Sequence, residues 1–137
     1  MNVLIVDAQG GGVGKQLVSE IRKALPDVTI TAVGTNAAAT AAMHKAGADH
    51  PATGENSVVV AVRKADFILG PIGIVIADAM LGEITPTMAR AIAQAEAVRI
   101  LIPFSHCDTF IAGVGDVGMS TLIKDAVGEL KKLIAAN

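Results

Sequence analysis

The residues with the most chemical potential lie directly behind the first apolar run, where Asp7-Ala8-Gln9-Gly10-Gly11-Gly12-Val13-Gly14-Lys15 follows NVLIV. A helix that opens after a buried strand points free N–H groups at whatever sits above the turn, which makes an anion site. The chemistry would be the cradling of a phosphate. Gly10, Gly11, Gly12 and Gly14 would supply backbone donors, Lys15 would neutralise charge, and Gln9 would touch phosphate or sugar. Two nucleotide motifs nearly fit. The dinucleotide fingerprint wants glycine at its first, third and sixth positions, which here are Gln9, Gly11 and Gly14. The phosphate-loop pattern G-x-x-x-x-G-K-[ST] reads Gln9, Gly14, Lys15, Gln16. Both lose their first glycine at Gln9, and the second also loses the hydroxyl that would hold magnesium.

That second loss counts for more. Phosphoryl transfer needs a held metal, and neither FILGP nor ILIPF ends in an aspartate to help. Asp7 itself would repel phosphates. Nucleotide hydrolysis is therefore disfavoured, while nucleotide binding survives, NAD(P) foremost. Gly11 is the position expected to approach the ligand, so that valine there would block binding and leave the fold intact. The bland alternative is that the glycines only let a helix dock close to a strand. The dinucleotide reading also lacks an acid for the adenosine ribose, due about 20 residues on. Thr35 and Asn36 stand there instead, able to hydrogen-bond a ribose or a phosphate more weakly.

A second glycine loop, Gly70-Pro71-Ile72-Gly73, follows another apolar run. In a parallel sheet it would lie beside the first, since ligands bind at the carboxyl ends of strands where strand order reverses. A tight turn forced by Pro71 explains it equally well. The catalytic candidates are weaker. ADHPATGEN (48–56) reads as a loop gathering Asp49, His50, Thr53, Glu55 and Asn56, with His50 or Glu55 available as acid or base. Asp78 falls inside an apolar segment and would face either the cleft or solvent. SHCD (105–108) sets a hydroxyl, imidazole, thiol and carboxylate side by side, yet reads first as a polar turn. Metal binding by His106 and Cys107 would need further ligands, with His50 the one plausible recruit, so no metal is expected. The chain has no tyrosine, which excludes Tyr–Lys dehydrogenase chemistry. It also has no room for a substrate domain, so a redox site would have to be completed by a partner subunit.

The elements that must position these residues follow from periodicity. VLIVD (3–7) and VTITAVG (28–34) read as strands, and DFILG follows as a third. Val13, Leu17, Val18, Ile21, Ala24 and Leu25 recur at helical spacing up to Pro26. An alanine-rich helix over 36–48 stops at Gly47, and ENSVVVAVRKA (55–65) reads as helix despite its β-branched run. IGIVIADAML (72–81) is expected as a helix ending at Gly82, and 85–97 as one capped by Thr85 with Pro86 at its first position. VRILIPF (98–104) is a strand. TFIAGV (109–114) follows too soon for a helical crossover, so it is expected to pair antiparallel. Met119 to Ile134 trace one face of a last helix. The result is a single α/β domain over 1–137: a Rossmann-like three-layer sandwich, mostly parallel, with an antiparallel strand near the C-terminus.

Bulk properties narrow the function classes. Net charge is −2 and the 11 lysines and arginines are scattered, so nucleic acid is not an expected partner. No apolar stretch approaches the ~20 residues of a membrane span. No basic region precedes the first apolar run, so no signal peptide is expected. The lone Cys107 suits a reducing cytoplasm. With charged residues at 18% against a usual ~25%, and apolar residues on more than one face of 72–81 and 85–97, a homodimer is expected.

VDAQGGGVGKQL, AVGTNAAATAAM, AGADHPATGEN, GPIGIVIADAMLGEITPTMA and ILIPF together resemble a family of short bacterial proteins. They are grouped under a domain-of-unknown-function label and come largely from anaerobic Gram-positive bacteria. The resemblance spans nearly the whole chain and implies no particular activity. Residues 3–36 alone resemble NAD(P)-binding Rossmann domains more distantly. The leading expectation is a small nucleotide- or dinucleotide-binding protein using the loops after the first and third predicted strands. The alternatives are an enzyme acting on a small phosphorylated substrate and a ligand-free regulatory or scaffold module.

Overall fold

Val3, Leu4, Ile5 and Val6 are all at most 1% exposed, and a strand buried on both faces belongs at the centre of a parallel sheet. β1 (Asn2–Asp7) takes that place. It pairs with β2 (Thr29–Gly34) on one side and β4 (Phe67–Pro71) on the other; β3 (His50–Thr53) and β5 (Val98–Ile102) form the outer strands. The order is β3-β2-β1-β4-β5, and every pairing among the described residues is parallel. The computed structural model describes residues 1–103 and 109–137.

Helices cover both faces. α1 (Gly12–Ala24), α2 (Ala37–Lys45) and α5 (Met119–Ala135) bury Leu17, Val18, Ile21, Met43, Ile123 and Leu130 against Val3, Ile5, Ile30 and Leu69. α3 (Glu55–Ala61) and α4 (Pro86–Ala93) set Val58, Met88 and Ile92 against Leu4, Val6 and Ile68. This is the three-layer α/β sandwich that the strand and helix alternation predicts. α3 shows which force decides. Its β-branched run costs a few tenths of a kcal/mol per residue as helix, whereas burying Val58 is worth about 1.5–3 kcal/mol. Helix wins. Start signals are also where the sequence puts them: Asn36 accepts from the Ala39 amide, and Thr85 accepts from the Met88 amide with Pro86 at the first position.

Three expectations are corrected. Residues 48–56 do not form a loop, because His50–Thr53 adds an outer strand to the five-stranded sheet beside β2. The third predicted strand is therefore β4. Residues 72–81 do not form a helix: Ile72–Val75 make one 3-10 turn, and Ile76 returns to extended backbone. Asp78, Met80 and Leu81 then adopt left-handed φ values of 67°, 55° and 58°. A straight helix turns only one stripe to the core, but this segment buries Ile74, Ala79 and Ile84 together, which consecutive turns can do. Its backbone closes on itself through Asp78 N–H to Ile84 O (2.8 Å) and Ile84 N–H to Ala79 O (3.2 Å). Finally, 109–114 forms no strand. The chain turns there, with Val114 N–H on Ile111 O and left-handed glycines at 113 and 115. SHCD (105–108), the cysteine and histidine candidates with it, lies outside the described residues.

Candidate functional site

Strand order reverses between β1 and β4. Their pairing runs Val3–Phe67, Leu4–Ile68 and Ile5–Leu69 and goes no further. Beyond it the two strands diverge and leave a cleft of about 170 Å³ lined by Asp7, Ala8, Gln9, Gly10, Gly11, Gly12, Val13, Pro71, Gly73 and Met80. The two glycine loops meet at one place.

The glycines divide the labour. At Gly11, φ is +72° and an added Cβ would stand 2.9 Å from Ala39 Cα, so its Cβ side is packed on α2 although the residue also borders the cleft. At Gly14 a Cβ would meet Met43 Sδ at 2.5 Å and Asp7 Cβ at 2.9 Å, which fixes α1 close to the sheet. Gly70 lies against the Val6 carbonyl, 2.4 Å from where its Cβ would be. Gly10 and Gly12 are different: nothing lies within 4 Å of an added Cβ. Their amides also make no hydrogen bond among the described residues. The docking explanation accounts for Gly11 and Gly14, whereas no such packing accounts for Gly10 and Gly12.

Asp7 ends β1 and is 3% exposed. Its Oδ1 accepts the Ala8 amide at 2.8 Å and its Oδ2 the Gly14 amide at 2.6 Å. Two first-turn amides of α1, those of Gly14 and Val13, are thus already bound to the protein's own carboxylate. Burial pushes the Asp7 carboxyl above its ordinary range, against the Gly14, Ala8 and Val13 amides that pull it down; Glu83 adds repulsion.

Gln9, where both motifs lack their glycine, sits at φ 51°, the left-handed region that glycine enters freely. Two contacts hold it there. Its amide donates to Glu83 Oε1 at 2.8 Å, and its carbonyl accepts from Asn36 Nδ2 at 2.9 Å. The same Glu83 oxygen accepts from Thr35 Oγ1 at 2.6 Å and Asn36 Nδ2 at 2.8 Å. These donors hold the Glu83 carboxyl below its ordinary range, the Thr35 hydroxyl foremost. Glu83 was not singled out from sequence. It lies 74 residues from Gln9, and only the fold of 76–84 brings it there. Met80 was missed for the same reason, whereas Ala8 sits between Asp7 and Gln9 and carries no polar side chain to mark it.

The other candidates disperse. Lys15 and Asp78 are exposed, Ile72 is half-buried, and none of the three lines the cleft. Glu55 accepts from the Thr85 hydroxyl that caps α4, which ties α3 to α4. His50 is level with Thr31 at the start of β3, three residues before Thr53, or about 10 Å from the cleft edge along the strand. It lines a separate groove of about 520 Å³ over β2 and β3 with Asn56, Ser57 and Lys64. Asp49 is a brace. It binds Arg22 at 2.7 Å and the Ile30 amide at 2.8 Å, which, the amide first, lower its carboxyl below the usual range. With Asp49 42% exposed, Asp49→Ala should cost about 1 kcal/mol. The deficit should be full above the ordinary carboxylate range and fade as pH falls through the depressed value, as urea titrations at pH 7 and pH 3 would read.

Fold and cleft define a parallel α/β protein with an open cleft at the strand-order reversal. Within that class, the chain belongs to the family of a domain of unknown function (DUF3842), matched over residues 2–135. No curated protein matches it. Among solved structures it is similar to a dodecameric FMN-dependent Ubix-like decarboxylase from Escherichia coli O157:H7, at 14% identity and TM-score 0.47, over 96% of this chain and 76% of that one. A likeness at that level leaves the site to be argued from its own residues. No helix among the described residues is long and apolar enough to cross a membrane.

Proposed function

We propose that the protein binds a nucleotide, with a phosphate over the loop between β1 and α1. One observation carries this reading: Gly10 and Gly12 have amides without a partner among the described residues, and nothing within 4 Å of an added Cβ, at the edge of a cleft located where strand order reverses. The donor set is small. Asp7 and Glu83 have already taken the amides of Ala8, Gln9 and Gly14, so two amides must do what a whole helix start does elsewhere. A cleft of about 170 Å³ is also smaller than the ~300 Å³ and upward of an enclosing pocket. A dinucleotide such as NAD(P) would extend across the rim towards Thr35 and Asn36. The enzymatic alternative loses ground, because His50, Glu55 and Asp78 are neither together nor at the cleft.

A panel of AMP, ADP, NAD, NADP and FMN tests the reading by thermal shift and calorimetry. A ligand at a hundred times its Kd should add about 2.7 kcal/mol of stability. Gly12→Val should remove that gain while unliganded stability stays within about 0.5 kcal/mol of wild type, as for a surface change. No shift with any of the five would overturn the proposal. A homodimer remains part of it on narrower ground than the sequence offered, since Ile74 and Ala79 are buried and Leu81, 97% exposed, is what stands out. A monomeric mass by light scattering at micromolar concentration would remove the dimer.

A further inference from the structure

Glu83 Oε1 accepts from three donors on two different loops: the Gln9 amide, the Thr35 hydroxyl and the Asn36 side-chain amide, all at 2.6–2.8 Å. Convergence of backbone and side-chain N–H and O–H groups on a single anionic oxygen is how proteins hold phosphate and carboxylate ligands. Here the oxygen belongs to the chain. It is delivered by 76–84, a run of turns after the 3-10 turn Ile72–Val75, whose Asp78, Met80 and Leu81 carry left-handed backbone. Such residues cost of order 1 kcal/mol each and persist only where the surroundings hold them. Buried Ala79 and Ile84 and the segment's own backbone bonds supply part of that hold, and the three hydrogen bonds at Glu83 fasten its outer end. Met80 forms part of the cleft wall on the same segment, so the carboxylate in the seat and the wall of the cleft belong to one stretch of chain.

We propose that Gln9, Thr35 and Asn36 form an anion seat, that Glu83 is its tethered occupant, and that a ligand phosphate enters by displacing the carboxylate and freeing 76–84 from the cleft. The inference rests on the nucleotide reading for the identity of the ligand, but not for the seat. The ligand class is an anion with several acceptor oxygens. Glu83 then sets affinity by competition: a tethered carboxylate is present at high effective concentration, and it repels a second negative charge nearby. Release would also explain why the strand-end cleft is small here. Its wall is the part that leaves.

The full chain, Glu83→Ala and Glu83→Gln test this with inorganic phosphate, AMP and adenosine as probes. By calorimetry, Glu83→Ala should bind phosphate and AMP about tenfold tighter than wild type, with adenosine unchanged. Glu83→Gln, which keeps the shape and loses the charge, should shift in the same direction by less. Amide exchange over 77–82 should be faster in Glu83→Ala, and phosphate should accelerate it in wild type towards the same rate. A seat that is only a clamp for the Gln9 turn gives the opposite result. Both variants would then bind phosphate no better than wild type, and phosphate would leave exchange in 77–82 unmoved. Either finding overturns the proposal, as does an equal gain for adenosine. Tighter phosphate binding with no AMP binding in any variant would uphold the seat and remove the nucleotide reading instead.

Discussion

Gly11→Val should lower stability by about 3–5 kcal/mol, enough to move Tm by roughly 10–15 °C in a chain of this size. Two costs add. A β-branched residue at φ +72° carries left-handed strain of about 1–3 kcal/mol. Its Cβ would also stand 2.9 Å from Ala39 Cα, 3.0 Å from Ala39 O and 3.3 Å from Ala42 Cβ. The first two are backbone atoms of α2, which cannot turn aside as a side chain would, and overpacking of this kind costs about 1–3 kcal/mol. The expectation from sequence was the reverse, a folded protein that merely fails to bind. The control is Gly10→Val, where nothing stands within 4 Å; it should melt within about 2 °C of wild type. Equal melting temperatures for Gly11→Val and wild type would mean that α2 does not seat on the loop as described.

That reversal marks how far a motif can be read without a fold. The sequence identifies the loop as glycine-rich and places it correctly between β1 and α1. It does not say which glycine faces ligand and which faces protein, because that depends on α2, about 25 residues further on. The elements that were legible carry their own signals: the two-sided apolar run of β1, the spacing of Leu17, Val18 and Ile21, and Thr85 before Pro86. Those that were not depend on distant partners. His50–Thr53 is strand because β2 offers it an edge, although Pro51 argues against one. Residues 72–81 look helical by composition, and become turns because three apolar side chains must reach one core. Glu83 had no local signal beyond Gly82, whose φ of 86° ends the segment that delivers it.

Asp7→Ala should cost about 2–3 kcal/mol near pH 3.5 and less near pH 7. The carboxylate is the partner of the Ala8 and Gly14 amides and is joined by the Val13 amide. Removing it strands buried donors, at about 1–3 kcal/mol for each one that water cannot reach. Working against this is the cost of holding a charge where it is 3% exposed, a cost that alanine does not carry. The two terms separate by pH. Burial raises the folded-state value above the ordinary 3.8, so between those limits the native state binds more protons than the unfolded state. Wild-type stability therefore loses a contribution as pH rises through that window. Alanine has nothing to titrate and loses none. Asp49 and Glu83, whose values are lowered, act in the opposite sense in both proteins and largely cancel in the difference, save for the repulsion between Glu83 and Asp7. Urea unfolding of both proteins at intervals from pH 3.5 to 7 gives that difference directly. A deficit that grows with pH would show an Asp7 carboxyl stabilised as the anion, which would make the start of α1 a strong anion site satisfied from within.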